Sequence, residues 1–228
     1  MLTPILTVSG PAARAALAAG ARGVVAFSSN NVAIDPDAAV YAALRREEDA
    51  LAAHATGWRL IRPTMIYGHP ADGNLSVLLR RARRWPALPL AGSGKARQQP
   101  IHIDDLAALA GACALADGTG DAEDAPRMVT AAGPSIVTMR ELYDAVGRAA
   151  GRSPPVAALP RRPLLFAAHA ARGLGLAFPL SPAQVARAEM DKLPPADAVA
   201  PSGWRAEITL EDGLARLAAA LDPAPPTA

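Results

Sequence analysis

The chain has 228 residues, of which 51% are hydrophobic and 19% charged, enough to bury a sizeable core in one large domain or two small ones. A formal net charge of +2 gives no basic surplus of the kind that implies a nucleic-acid partner, and the single cysteine, Cys113, excludes a disulfide framework and a thiolate-rich metal site. The opening Met1–Leu6 carries neither a basic segment nor a sustained apolar one, so the expectation is a protein without a secretory signal, working in a reducing cytoplasm.

In chain order, the apolar run Leu2–Val8 reads as a short buried strand, Pro11–Leu17 as a helix, and Gly20–Gly23 as the glycine stop behind it. Val24–Phe27 follows as a second strand, continuous in apolar residues and closed by Ser28-Ser29-Asn30-Asn31, which suits a parallel strand covered on both faces. Asp35-Pro36-Asp37 opens a helix to about Ala53, and a strand begins at Trp58 and runs into Arg62-Pro63-Thr64-Met65-Ile66-Tyr67-Gly68. Beyond Gly68 the reading gives a basic helix over Leu75–Trp85, a turn-rich Pro89–Lys95, and a strand Ile101–Ile103 entering a helix capped by Asp104 and Asp105. Then come a loop at Asp117–Ala125, a strand Met128–Ala132, and a helix to about Ala150 opened by the capping box Thr138-Met139-Arg140-Glu141. Proline-rich joints at Ser153-Pro154-Pro155 and Pro194-Pro195 separate helices near 163–173, 182–192 and 210–221.

Two features invite surface partners. The run Arg80-Arg81-Ala82-Arg83-Arg84 suits phosphate, but the plainer reading is a solvated helix face opposite Leu75, Leu78 and Leu79. The stretch Pro163–Leu180 is too interrupted for a membrane span; Arg161 and Arg162 beside it leave open a helix lying on a membrane surface, with a core or interface helix as the default. His54 and His69 have no ligand set at metal-binding spacing, so no metal is expected.

Three segments in this order resemble the extended short-chain dehydrogenases/reductases of the NAD-dependent epimerase/dehydratase family. They are the strand ending Phe27-Ser28-Ser29, the strand and turn Leu60–Gly68, and Pro100-Ile101-His102-Ile103-Asp104-Asp105-Leu106-Ala107. Gly203-Trp204 and Thr209–Leu214 extend the likeness over nearly the whole chain. It is nearest the atypical branch that resembles the nucleotide-binding accessory subunit of respiratory complex I and bacterial nucleoside-diphosphate-sugar epimerase-like proteins.

The resemblance implies an α/β fold: a partial Rossmann-like parallel sheet lacking its first βαβαβ half, with a smaller, mostly helical C-terminal lobe. Residues 1–68 would be the C-terminal half of the dinucleotide-binding domain, with 127–133 returning to its sheet; 69–221 would form a substrate-domain-like lobe, and 222–228 a disordered tail. The family's glycine-rich turn, Gly-x-x-Gly-x-x-Gly, has no counterpart. Gly10, Gly20 and Gly23 are too widely spaced, and neither Gly92-Ser93-Gly94 nor Gly173-Leu174-Gly175 joins a strand to a long helix. With Leu2–Val8 as the family's fourth strand, about 70 residues carrying the first three would be missing. The uncovered strand edge would then favour a second copy or a partner chain.

By the same resemblance Tyr41 and Arg45, four apart on one helical face, stand where the family has its Tyr and Lys, and Asn30 stands where it has a hydroxyl. A guanidinium beside the phenol supplies field but no proton relay, and the amide of Asn30 still donates a hydrogen bond. The plainer alternative is that Tyr41 is an amphipathic tyrosine at a helix start. Ser28, Ser29, Pro63, Thr64 and Ile66 would flank the nicotinamide of NAD or NADP. Met65, Arg97, Gln98 and His102 fall at substrate positions, with a nucleotide sugar as the expected small-molecule partner. Met65 replaces a polar contact, Gln98 replaces an arginine that holds diphosphate, and His102 reads more readily as a packed or capping histidine than as an acid/base. Changes at so many of these positions leave open a second class of function, a non-catalytic scaffold on a degenerate dehydrogenase fold.

Overall fold

The computed structural model describes residues 6–35, 37–54, 57–116, 126–175, 182–199 and 203–222. In chain order the elements are α1 (Leu6–Ala18), β1 (Val24–Phe27), α2 (Asn31–Ile34), α3 (Ala39–Ala52), β2 (Trp58–Pro63), β3 (Ile66–Tyr67), α4 (Leu75–Arg84), β4 (Leu88–Ala91) and β5 (Arg97–Gln98). They continue with β6 (Ile101–His102), α5 (Ile103–Ala116), β7 (Met128–Ala131), β8 (Val137–Thr138), α6 (Met139–Ala149), β9 (Val156–Leu159), α7 (Arg161–Gly173), α8 (Pro182–Ala186) and α9 (Leu210–Leu221). The chain forms two compact units: Met1–Ile66 with Gln99–Ser135 and Lys192–Thr209, and Tyr67–Gln98 with Ile136–Asp191 and Leu210–Ala228. Residues 99–116 and 192–209, placed by the sequence reading in the C-terminal lobe, therefore lie in the first unit.

The first unit is an α/β layer built on a three-stranded parallel sheet in the order β1-β2-β7. Val24 pairs with Trp58 and Phe27 with Ile61, while Leu60 pairs with Met128 and Pro63 with Ala131. The continuous apolar runs are explained by burial on both faces. Ala26, Trp58 and Leu60 face a core shared with Leu6, Val32, Leu44 and Leu51 from α1, α2 and α3. The alternate residues Val25, Phe27, Ile61, Val129 and Ala131 pack with Ile101, Leu106 and Leu109 of β6 and α5.

The expected strand Leu2–Val8 is not found: residues 2–5 lie outside the described set, and Leu6–Val8 open α1. Leu6 is fully buried, and Leu6, Gly10, Ala13 and Leu17 recur at helical spacing against the core and α3. Gly10 faces the Glu47 side chain of α3, and an Arg14–Glu47 ion pair bridges the two helices. The helix expected from Asp35 begins at Ala39, preceded by the single turn α2, and Pro36 lies outside the described residues.

The second unit packs α4, α6 and α9 through Leu75, Leu78, Leu79 and Ala82, through Leu142, Ala145 and Val146, and through Leu210, Leu214 and Leu217. Each set has the three-to-four spacing of a helix stripe. The capping box is as expected: Thr138 Oγ1 accepts from Glu141 N–H, and the Glu141 carboxylate accepts from Thr138 N–H. That bonding holds the Glu141 pKa below its ordinary value, with the Thr138 backbone as the largest cause.

Within the expected turn Pro89–Lys95, residues 89–91 belong instead to β4, which pairs in parallel with β9 just beyond the Pro154-Pro155 joint. Leu88 and Leu90 are buried while Pro89 projects between them, and a two-stranded pair leaves proline without a ladder bond to break. The turn itself comes at Gly92 and Gly94, both at φ near +78°. α8 is shorter than expected, ending at Ala186, and the loop 117–125 and tail residues 223–226 lie outside the described set. Among the described residues no helix is long and apolar enough to cross a membrane.

Candidate functional site

Parallel strands end together, so the carboxyl edge of β1-β2-β7 collects the loop residues that follow each strand. The ladder continues one step past the strands. Ser28 N–H donates to Ile61 O at 2.9 Å, Asn30 N–H to Pro63 O at 3.0 Å, and Thr64 N–H to Ala131 O at 2.9 Å. This fixes Ser28, Ser29, Asn30, Pro63 and Thr64 side by side at one edge of the first unit. Thr64 Oγ1 donates to Gln99 O, and Gln99 Nε2 donates to Gly133 O at 2.7 Å, joining the β2 and β7 ends. Met65 O accepts from Ile101 N–H at 2.9 Å, so its backbone serves the junction with β6, and Ile66 packs into the core on that face.

Two polar atoms at the end of β1 are buried with no hydrogen bond: Ser28 Oγ and Asn30 Oδ1. Asn30 is 2% exposed, and its Nδ2 donates to Leu193 O at 3.1 Å. The segment carrying Leu193 continues along the same edge until Val199 O accepts from Thr130 N–H at 2.8 Å. Ser29 Oγ accepts from Asn31 N–H and so closes a local turn.

The remaining candidates are held elsewhere. Tyr41 packs beside the α1/α3 core, and Arg45 Nη2 donates to Val32 O at 2.8 Å, tying α3 to α2. Arg97 is bound to Asp191 through both its backbone N–H at 2.7 Å and its guanidinium at 2.8 and 2.6 Å. These bonds hold the Asp191 carboxyl below its ordinary pKa, the Arg97 side chain contributing most. Gln98 is 2% exposed and its Oε1 has no partner. His102 is equally buried, and its Nδ1 accepts from Asp104 N–H at 3.2 Å at the start of α5. Arg97 and Gln98 belong to the second unit and are not part of the edge described above.

Several residues of this unit have no signal in the sequence, because their partners are distant along the chain. Glu48, 2% exposed on α3, makes a two-pronged ion pair with Arg62 of β2 at 3.0 and 2.5 Å. Asp105, expected to cap α5, has its carboxylate on the N–H groups of Glu207 and Ile208 at 3.2 and 3.0 Å. Gln99, adjacent to the residue singled out by alignment, is the one that reaches the β7 end. Outside this unit, the arginine run is occupied locally: Arg80 on Ser76 and Pro70 O, Arg81 over the Trp85 ring at 5.2 Å, and Arg83 on Ala218 O and Asp222.

A parallel sheet with helices on both faces and its polar loop residues at the carboxyl edge agrees with solved structures of sugar-nucleotide enzymes. The chain has the fold of the NAD-dependent epimerases and dehydratases. It superimposes on UDP-glucose 4-epimerase of Thermotoga maritima with a TM-score of 0.61 and 13% identity, over 91% of this chain and 66% of that one. With dTDP-glucose 4,6-dehydratase of Bacillus anthracis, solved with NAD, the TM-score is 0.62 at 12% identity, over 94% of this chain and 65% of that one. A GDP-6-OMe-4-keto-L-xylo-heptose reductase of C. jejuni gives 0.63 at 17% identity, over 93% and 73%. The chain thus spans about two thirds of the length of the epimerase and the dehydratase. An uncharacterised protein of Sinorhizobium fredii is 31% identical over 123 residues, 54% of this chain and 29% of that protein. No protein-family model matches the sequence.

Proposed function

We propose that the chain is an NAD(P)-dependent epimerase/dehydratase-type protein that takes a nucleoside-diphosphate sugar at the carboxyl edge of β1, β2 and β7. The observation that carries this reading is the pair of buried oxygens at the end of β1, Ser28 Oγ and Asn30 Oδ1, with unspent hydrogen-bonding capacity. Buried polar atoms are ordinarily satisfied, and the carboxyl edge of a parallel sheet is where ligands of such folds bind. A sugar hydroxyl that donates to Asn30 Oδ1, and a second sugar oxygen that accepts from Ser28 Oγ, complete what these two atoms lack. The structural neighbours, which include an epimerase solved with UDP-glucose, support the ligand class.

Ser28, Ser29, Pro63, Thr64 and Ile66 fit the nicotinamide end of NAD or NADP, through backbone, hydroxyl and apolar contact. No glycine turn in the sequence fits the pyrophosphate end. When bound, the nicotinamide supplies a reversible hydride acceptor. The chain's own residues are poorly equipped for the accompanying proton transfer. Arg45 is spent on Val32 O and does not deprotonate, Asn30 offers an amide in place of a hydroxyl, and Arg97 is spent on Asp191. Of the family's proton-transfer positions only Tyr41 keeps its residue type, and it packs beside the α1/α3 core, so turnover is slow where binding persists. These same three commitments favour a second reading, a non-catalytic binding or scaffold protein.

Calorimetric titration with UDP-glucose, NADH and NADPH tests the proposal. Saturable UDP-glucose binding that Asn30→Ala weakens by ~5-fold or more supports it, one buried hydrogen bond being worth about that. A folded protein with no heat for UDP-glucose at millimolar concentration overturns it. Turnover that Tyr41→Phe abolishes selects the enzyme, and binding without turnover selects the second reading.

A further inference from the structure

We propose a second ligand site, at the carboxyl end of β7, that takes a small anion carried on a flat apolar body, an aromatic carboxylate or an aryl phosphate. The site is a cavity of about 410 Å3 within the first unit, lined by Thr130, Ala132, Gly133 and Pro134 from β7 and the turn after it, and by Pro194 and Ala198 opposite. Trp204, Arg205 and the Gln99 side chain complete the lining. None of the lining residues is one that the family resemblance assigns to chemistry, substrate or dinucleotide, although the cavity opens at the β7 end of the carboxyl edge proposed above for the sugar nucleotide. The volume falls in the range of ~300–1,000 Å3 that small ligands occupy.

The walls are fixed before any ligand arrives. A Cβ on Gly133 would lie 1.9 Å from Pro100 O, so the backbone there is already at closest approach, and Gln99 Nε2 holds Gly133 O from the other side. Asp105 grips the N–H groups of Glu207 and Ile208, which anchors the strip holding Trp204, Arg205 and Ala206. Thr130 N–H holds Val199 O on the facing wall. Trp204 packs against the Ile61, Ile101 and Val129 core, so its ring is supported from behind. Prolines, alanines and an indole make a rigid apolar slot, and little ordering entropy is lost when a flat body fills it.

Arg205 supplies the charge preference. Arg62, Arg83 and Arg97 are each held by a carboxylate, whereas Arg205 makes no ion pair or hydrogen bond among the described residues. An unspent guanidinium fork on an apolar slot selects a planar carboxylate or a phosphate over a neutral molecule of the same shape.

The chain holds three tryptophans, so three indole N–H signals in an NMR spectrum of the 15N-labelled full chain report on the site with two internal controls. Trp204 is assigned by its loss in Trp204→Phe, and benzoate, phenyl phosphate and neutral benzamide are titrated separately. The expected result is a saturable shift of the Trp204 signal with benzoate or phenyl phosphate while Trp58 and Trp85 stay in place, and binding of benzamide weaker by ~10-fold or more. Whichever anion binds more tightly identifies the source of the charge. Arg205→Gln, at an exposed position, reduces the anion to the benzamide level. Ala132→Leu fills the slot and removes both, with the Trp58 and Trp85 signals confirming the fold. No Trp204 shift with either anion at about 10 mM, equal affinity for benzamide, or unaltered binding in Arg205→Gln overturns the proposal.

Discussion

The two units use their polar side chains differently. In the second unit several cations turn inward on the chain itself: Arg80 on Pro70 O, Arg83 on Ala218 O, Arg152 on Arg83 O, and Arg97 on Asp191. In the first unit charged groups farther from the edge are paired, as in Glu48–Arg62, while the carboxyl edge keeps Ser28 Oγ and Asn30 Oδ1 unspent and a cavity lined by Arg205, unpaired among the described residues, opens beside β7. The contrast is between cations spent on the chain itself and a carboxyl edge that holds polar atoms in reserve for a ligand, with Gln98 Oε1 the buried exception in the second unit. Residue type alone did not separate them, since the second unit holds the arginines that look most like phosphate binders.

Perturbing the two units should reveal the difference in rigidity that this contrast requires. The largest effect is expected for Gly133→Ala, because its Cβ would lie 1.9 Å from a backbone carbonyl that no side-chain rotation can move. A loss of more than ~3 kcal/mol in urea unfolding is expected; a near-neutral variant would mean that the β7 end is soft. Glu48→Ala strands Arg62 beside the sheet and should cost about 3 kcal/mol, with Glu48→Gln milder because one hydrogen bond survives.

The second unit should respond more weakly. Thr138→Ala removes the capping box of α6 and should cost about 1 kcal/mol, read as a lowered thermal midpoint. Glu141 has its pKa depressed by that box, so its contribution is present above the ordinary value of 4.5 and fades as pH falls through the lower, folded value. The wild-type advantage over Glu141→Gln should therefore shrink on acidification, and an advantage that grows below pH 4.5 would contradict the cap. Smallest of all is Asp191→Asn. Asp191 and Arg97 are 43% and 55% exposed, so solvent screening should leave a change of at most ~0.5 kcal/mol.

The same contrast explains what could be read from the sequence. The parallel sheet was legible because Val24–Phe27 is apolar throughout and Trp58–Ile61 and Met128–Ala131 are mostly so, and the box at Thr138 was legible because its partners lie three residues apart. Leu6–Val8 misled because a short apolar run suits a strand or a buried helix, and only packing against Val32 and Leu44 decides. Pro89 and Pro154-Pro155 hid the pairing of β4 with β9, since prolines read as joints until a two-stranded pair gives them a place. At the site, the positions of Ser28, Asn30, Pro63 and Thr64 followed from the strand ends. Their bonds did not: Asn30 meets Leu193 across 163 residues, and Arg97 meets Asp191 across 94. Those long-range partners determine which candidates stay available.

Amide hydrogen exchange with and without saturating UDP-glucose tests most directly whether the reserve at the carboxyl edge is the binding side. Slowed exchange at residues 28–32 and at Thr64, with β4 and β9 of the second unit unchanged, is the predicted result. Protection confined to the second unit, or none at the end of β1, would contradict it.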